Sequence, residues 1–208
     1  MREYPKIQSI FKRNERSRII EGSYTLPEFE YLKDNTWVFT EKVDGTNIRV
    51  MWKGTNRTGK FGGRTDQAQI PVILLYTLHQ LFKVPLLVEV FPETDVCFYG
   101  EGYGPKIQLA GQNYSRKNVD FVLFDVKIGE WWLRHEDVVD VANKLGIRVV
   151  PVVGEGRLGD AVEMVRKGFN SQWGNFIAEG IVARPKVELK TRKGERIITK
   201  IKHRDFRT

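Results

Sequence analysis

The sequence predicts an α+β fold of mostly antiparallel sheets with flanking helices, and three observations carry that expectation. Short runs rich in Val, Ile, Phe, Tyr and Trp outnumber the stretches with helical periodicity. Several neighbouring runs are separated by short Gly-containing breaks, as antiparallel hairpins require. The helical stretches do not alternate regularly with the strands, which argues against a doubly wound parallel sheet.

Strands are expected at residues 37–40, 47–52, 86–91, 98–101, 121–126, 181–184 and 196–202, each a short β-branched or aromatic run. One helix follows Pro71, which sits at a first-turn position ahead of Leu74, Leu78 and Leu81. Two more span 136–145 and 160–167, each followed by a glycine, Gly146 and Gly168, placed for a left-handed cap. There is no internal repeat and no low-complexity linker, so residues 1–208 read as one domain.

With 41% hydrophobic and 29% charged residues, the composition excludes intrinsic disorder. The net charge of +8 suits a polyanionic partner. It is concentrated at the end of the chain, where nine basic residues stand against three acidic ones between Lys186 and Arg207. Cys97 is the single cysteine, which excludes an internal disulfide and a multi-cysteine metal site. No apolar run approaches the roughly 20 residues that cross a bilayer, and the N-terminus lacks a secretory stretch. The expectation is an intracellular, cytoplasmic protein without a membrane partner.

The sharpest local pattern is Glu41-Lys42-Val43-Asp44-Gly45-Thr46-Asn47, where a strand ends in a lysine and a tight polar turn follows. If the strand persists, Lys42 and Asp44 share a face and set an amine beside a carboxylate. Gly45 would let the backbone approach a ligand closely. Taken alone, K-x-D-G-x-N also fits a surface turn with an ion pair. Lys200 and Lys202 share one face of a period-two strand, with Ile201 on the other. Alone they fit a solvated basic edge strand. Set beside another lysine, they would favour its neutral, nucleophilic form, because like charges penalise the ammonium. An unperturbed lysine, with a pKa of about 10.4, is neutral in only about one molecule in 2,500 at pH 7.

Four further motifs follow in order: Phe98-Tyr99-Gly100-Glu101, Val122-Leu123-Phe124-Asp125, Glu179-Gly180-Ile181-Val182 and Lys200-Ile201-Lys202. With them the chain resembles the covalent nucleotidyltransferase superfamily of DNA ligases, RNA ligases and mRNA-capping enzymes, whose motifs I, III, IIIa, IV and V run in this order. The resemblance is closest to ATP-dependent RNA ligases of the nick-sealing type, whose first motif accepts Asn, here Asn47, where DNA ligases usually carry Arg. It extends from about Tyr4 to Phe206 and implies a nucleotidyltransferase (ATP-grasp-like) domain.

The chemistry implied is covalent. Lys42 attacks the α-phosphate of ATP, AMP remains as lysyl-AMP, AMP passes to a 5′-phosphate, and a 3′-hydroxyl then closes the phosphodiester. RNA ends or a nicked duplex are the implied partners, and Mg²⁺ or Mn²⁺ the implied metal. Lys200 and Lys202 would hold phosphates and stabilise transition-state charge. The resemblance gives the nucleotide pocket to Glu41, Asp44, Gly45, Asn47, Arg64, Glu101, Phe124 and Glu179. Within it Glu101 would contact ribose, Phe124 would stack on adenine and Arg64 would contact phosphate. Locally, Phe124 also fits a core phenylalanine.

Glu179 is the first metal-side carboxylate and Asp125 the second, or else a supporting residue, because a regular strand sends Phe124 and Asp125 to opposite faces. Arg184 takes the place of a basic residue that is often lysine, and Tyr4 resembles a functional N-terminal tyrosine. Gly102-Tyr103-Gly104 reads as a mobile loop or an ordinary turn. Asp44 stands where some RNA ligases have histidine; aspartate is also usual in DNA ligases, so it does not separate the substrates. The chain ends soon after the last motif, which implies no C-terminal OB-fold or helical domain and leaves duplex binding to surfaces such as the basic segment after Lys186. A DNA ligase, a guanylyltransferase or a catalytically silent RNA-binding module remain alternatives, and the oligomeric state is open.

Overall fold

A computed structural model describes residues 3–108 and 111–207. In chain order the strands are β1 (Gln8–Ser9), β2 (Phe11–Arg13), β3 (Ile19–Tyr24), β4 (Trp37–Glu41), β5 (Thr46–Lys53), β6 (Thr58–Gly62), β7 (Val96–Tyr103), β8 (Asp120–Ile128), β9 (Trp131–Trp132), β10 (Arg148–Val149), β11 (Val152–Gly156), β12 (Gly180–Pro185) and β13 (Thr199–Lys202). The helices are α1 (Pro27–Tyr31), α2 (Val72–Leu81), α3 (Val84–Val90), α4 (Gly111–Tyr114), α5 (His135–Leu145) and α6 (Leu158–Lys167). The α+β class and the mostly antiparallel pairing are as expected. Although the chain has no linker-like segment, it gathers into two compact units, each with its own sheet and core. One holds Asp44–Val150 with the N-terminal stretch through Pro5, the other Lys6–Val43 and Pro151 onward.

The first unit is built on a six-stranded sheet ordered β10-β8-β7-β5-β6, with β9 on β8. Among these pairs only β10 with β8 is parallel. Strand alternation sorts β5: Ile48, Val50 and Trp52 enter the core, so Asn47, Arg49 and Met51 face the other side. Leu74 and Leu78 of α2, with Val138, Ala142 and Leu145 of α5, close that core over Phe98, Phe121 and Leu123. Burying each such side chain contributes about 1.5 to 3 kcal/mol.

β8 breaks the alternation once. Tyr99 pairs with Asp125 and Gly100 with Leu123, which leaves Phe124 as the extra residue of a β-bulge. Phe121 and Leu123 face the core before the bulge, and Val126 and Ile128 face it afterwards. Phe124 and Asp125 therefore emerge together on the opposite face, which removes the conflict that a regular strand would impose.

The second unit carries a five-stranded sheet ordered β1-β13-β12-β4-β11, antiparallel except for β1 with β13, and the β2-β3 hairpin. α6 lays Leu158, Ala161 and Val165 against Trp37, Phe39, Ile181 and Ile201. Its apolar residues recur three and four apart, the spacing of one helical face.

The expected strand at 86–91 is instead the helix α3. Pro85 lies in its first turn, and Leu87 and Phe91, four residues apart, bury the same side. A short apolar run carries too little periodicity to separate the two outcomes. Of residues 102–104, read as a mobile loop or an ordinary turn, Gly102 and Tyr103 continue β7, with the Tyr103 hydroxyl donating to Asp120 at 3.1 Å, and Gly104 opens a turn closed by Ile107 N–H to its carbonyl at 3.2 Å. Gly146 adopts the expected left-handed cap, whereas Gly168 pairs a positive φ with an extended ψ. Among the described residues no single helix is long and apolar enough to cross a membrane. α2 and α3 together pass by length and composition, but they are bent by 47° at their break.

Candidate active site

In the second unit, three strand ends meet. β4 finishes at Glu41, β12 starts at Gly180 and β13 finishes at Lys202, and the register pairs Glu41 with Ile181 and Gly180 with Lys202. This brings Lys42, Glu179 and Lys202 to one end of the sheet. Glu179 accepts from both lysines: Lys42 Nζ lies 2.7 Å from Oε2 and Lys202 Nζ 2.7 Å from Oε1. The three side chains are 20%, 14% and 17% exposed, so the cluster is sheltered yet reachable.

The backbone fixes this cluster. Lys42 N–H donates to Gly180 O at 3.0 Å, and His203 N–H to Glu179 O at 2.9 Å. A Cβ on Gly180 would stand 2.0 Å from Ile201 O, so only glycine allows Glu179 to come this close to β13. Lys200 shares the face of Lys202, as the alternation predicts, with Thr199 and Ile201 buried behind them. The strand stops at Glu41, so the shared strand face expected for Lys42 and Asp44 does not form, and the carboxylate beside Lys42 is that of Glu179.

Glu41 is buried, and its two oxygens accept from Ser171 Oγ at 2.5 Å and Gln172 N–H at 2.8 Å. Burial raises its pKa above the ordinary carboxylate range, and the Gln172 and Ser171 hydrogen bonds oppose that shift. Here Glu41 ties the segment 171–172 to the strand that delivers Lys42. Arg184 is buried within β12 opposite Val38.

In the first unit, the non-core face of the sheet gathers Asn47, Glu101, Phe124 and Asp125. Asn47 sits directly opposite Glu101 in the β5-β7 register. Its Oδ1 is buried without a hydrogen-bond partner among the described residues. Leaving a buried acceptor unpaired costs about 1 to 3 kcal/mol, so this position calls for a donor that the described residues do not supply.

Tyr4 organises the neighbouring aromatic group. Its hydroxyl donates to Asp125 Oδ2 at 2.5 Å, and its ring meets Phe124 edge-on at 5.0 Å and Trp132 at 5.7 Å. Asp125 is fully buried, which fits the supporting role. Gly45 packs against β7: a Cβ there would stand 2.2 Å from Gly102 O, so the close approach it permits is to the protein's own backbone. Asp44 lies just before it, half-buried.

Arg64 is exposed in the loop after β6 and makes no ion pair with a described residue. That loop is held by Arg49, which sequence reading passed over. Arg49 is buried in β5, with Nε donating to Gly63 O at 2.8 Å and Nη2 to Asp66 at 2.7 Å. The hydrogen bond and charge of Arg49 hold the Asp66 carboxyl below its ordinary range. The period-two pattern that puts Arg49 on the face of Asn47 was the available signal. On the same face, burial pushes up both the Cys97 thiol and the Tyr99 phenol, so neither is prepared as a nucleophile.

Among the described residues no group of three or more His, Cys, Asp or Glu is gathered to hold a metal. Glu179 has both oxygens turned to ammonium groups. A divalent cation there fits as an ion held mainly by substrate phosphates with one carboxylate, as Mg²⁺ commonly is, rather than in a cage of protein ligands.

No curated protein sequence matches the chain. Among solved structures, it is similar to a Naegleria gruberi RNA ligase carrying a lysine-to-alanine change, with ATP and Mn, at a TM-score of 0.67 and 18% identity over 96% of this chain and 57% of that one. An aspartate-to-alanine variant of that ligase without ligand aligns at a TM-score of 0.69 and 17% identity over 98% of this chain and 58% of the other. A lysine-to-methionine variant with AMP and Mn gives 0.67 and 18%, over 96% and 57%. At such identities the likeness shows the nucleotidyltransferase fold of those ligases, and the chain spans a little under three fifths of their length. The profile of the RNA ligase family matches residues 35–202, from the strand that delivers Lys42 to the one that ends at Lys202, and the chain belongs to that family.

Proposed function

We propose that this chain is an ATP-dependent RNA ligase of the nick-sealing type, working through AMP bound covalently to Lys42. Its strongest support is the placement of Lys42 and Lys202 on the two oxygens of Glu179, at 2.7 Å each. A sheltered amine beside a second ammonium and a carboxylate is what phosphoryl attack needs: a nucleophile, a counter-charge for phosphate, and an acceptor for the departing proton.

In the first step Lys42 Nζ forms a bond to the α-phosphorus of ATP while the bond to the pyrophosphate oxygen breaks and pyrophosphate leaves. Glu179 Oε2 is in hydrogen-bond contact with Nζ and can hold the proton lost from the amine. Lys200 and Lys202 steady the phosphates by charge. Asn47 takes its missing donor from the nucleotide, Glu101 contacts ribose, Phe124 stacks on the base and Arg64 contacts phosphate. When bound, Mg²⁺ or Mn²⁺ neutralises phosphate charge beside Glu179. AMP then moves from Lys42 to the 5′-phosphate of an RNA end, and the 3′-hydroxyl attacks that end to seal the strand and release AMP. Such a ligase acts in the cell interior, in RNA repair.

The test is incubation with α-labelled ATP and Mg²⁺ or Mn²⁺, denaturation, and a search for label on the protein, with Lys42→Ala as control. Label on the wild type alone supports the reading; an unlabelled wild type with both metals defeats it. Label from GTP would redirect it to capping, and nicked duplexes with RNA or DNA at the 3′-hydroxyl separate the two kinds of ligase.

A further inference from the structure

We infer that the hairpin joining β12 to β13 is a docking surface for the phosphates of the RNA duplex, well away from the end of the sheet where Lys42 lies. The inference rests on the RNA ligase reading above. Beyond the last β12-β13 pair, Ala183 with Thr199, the chain runs on as an ordered hairpin closed by the Lys190–Arg196 bridge and by Ile197 N–H to Leu189 O at 3.0 Å. Its turn is tied by Thr191 N–H to Glu195 O at 2.8 Å and Gly194 N–H to Thr191 O at 2.9 Å. Thr191 Oγ1 also accepts from the amides of Lys193 and Glu195 at 3.3 Å. The backbone is already fixed, so binding through this turn would not have to order it.

Charge is distributed unevenly along the hairpin. Along its two arms Lys186 pairs with Glu155 at 2.7 Å and Arg196 with Glu188 at 2.6 Å. At its tip Lys190, Arg192 and Lys193 are exposed, and their side chains make no hydrogen bond or ion pair with a described residue; Glu195 is the one acid among them. Three unpaired cations against one acid on an ordered turn match a regularly charged polyanion, whose condensed counterions they would release. β12 is six residues long. At about 3.3 Å per residue, it alone separates the tip from Glu179 by about 20 Å. The contact therefore falls on the flank of the duplex rather than at the break.

The test uses the full chain, a nicked RNA duplex long enough to run past the hairpin, a short nicked duplex, and a salt titration of binding without ATP. Lys190→Gln/Arg192→Gln/Lys193→Gln should weaken binding of the long duplex about tenfold or more and lower the log–log salt slope by about one per cation removed. The short duplex should be affected far less. An unchanged affinity and slope for the long duplex overturns the proposal, and so does equal loss with both lengths. Should the triple variant not fold, Arg192→Gln alone carries the same test with a slope change of about one. Labelling of Lys42 is read without RNA, so failure of the ligase reading and failure of the hairpin contact are separate results.

Discussion

Tyr4 bonds Asp125 through its hydroxyl and Phe124 through its ring, at 2.5 Å and 5.0 Å, and so clamps two consecutive residues of one strand from the same side. Tyr4→Phe removes one donor from a fully buried carboxylate while keeping the ring. Stability should fall by about 1 to 3 kcal/mol, measured by urea unfolding. The KM for ATP in self-adenylylation should rise because the ring that braces Phe124 is no longer held to Asp125, while Lys42 itself stays competent.

Lys42→Arg separates charge from nucleophilicity. A guanidinium can still pair with Glu179 but stays protonated at any accessible pH. The variant should keep an unfolding midpoint close to that of the wild type and take up no AMP, checked by intact-protein mass spectrometry after incubation with ATP. Adduct on the arginine variant would mean that another residue is the nucleophile.

Two glycines should respond in opposite directions to alanine. At Gly45 the added Cβ meets Gly102 O at 2.2 Å, so Gly45→Ala should destabilise by about 1 to 3 kcal/mol or more. At Gly159, in the first turn of α6, nothing lies within 4 Å, and Gly159→Ala should stabilise by about 0.4 to 1 kcal/mol. Thermal unfolding of the pair reads both.

Glu41 makes an unusual contribution to the pH dependence of stability. Its folded pKa is raised from an ordinary 4.5, so between the two values the folded chain holds more protons than the unfolded one. Its stabilising contribution is fully present below about 4.5 and is lost as pH rises through the folded pKa. Glu41→Gln should flatten that decline in urea midpoints measured across the acid range. An unaltered pH profile would remove Glu41 as its source.

Much of this was legible in the sequence because periodicity and punctuation agreed. Pro71 and Gly146 bound two helices correctly, and the alternation around Lys200 and Lys202 placed both on one face. The 86–91 run was misread because an apolar stretch buried on one side looks alike in both periods, and Pro85, the deciding residue, lies just outside it. β1 and β10 are two residues each and exist only through long-range pairing, which leaves no local trace, and β9 is a two-residue return across Gly129-Glu130 onto the end of β8. The link from Glu179 to Lys42, 137 residues apart, was beyond sequence spacing, although both residues had been singled out by motif. Arg49 was missed because an arginine inside a strand reads as solvated, whereas here it holds the loop that carries Arg64.

The bulge at Phe124 changes what a one-residue deletion would mean in β8. Excising a residue from a buried strand ordinarily inverts every side chain beyond the cut. Without Phe124, however, Phe121-Val122-Leu123-Asp125-Val126-Lys127-Ile128 is an unbroken in-and-out series, and Asp125 can remain across from Tyr99. A chain shortened at that point should keep its cooperative unfolding and lose adenylylation. The ring proposed to stack on the adenine would then be an insertion into a strand already complete without it.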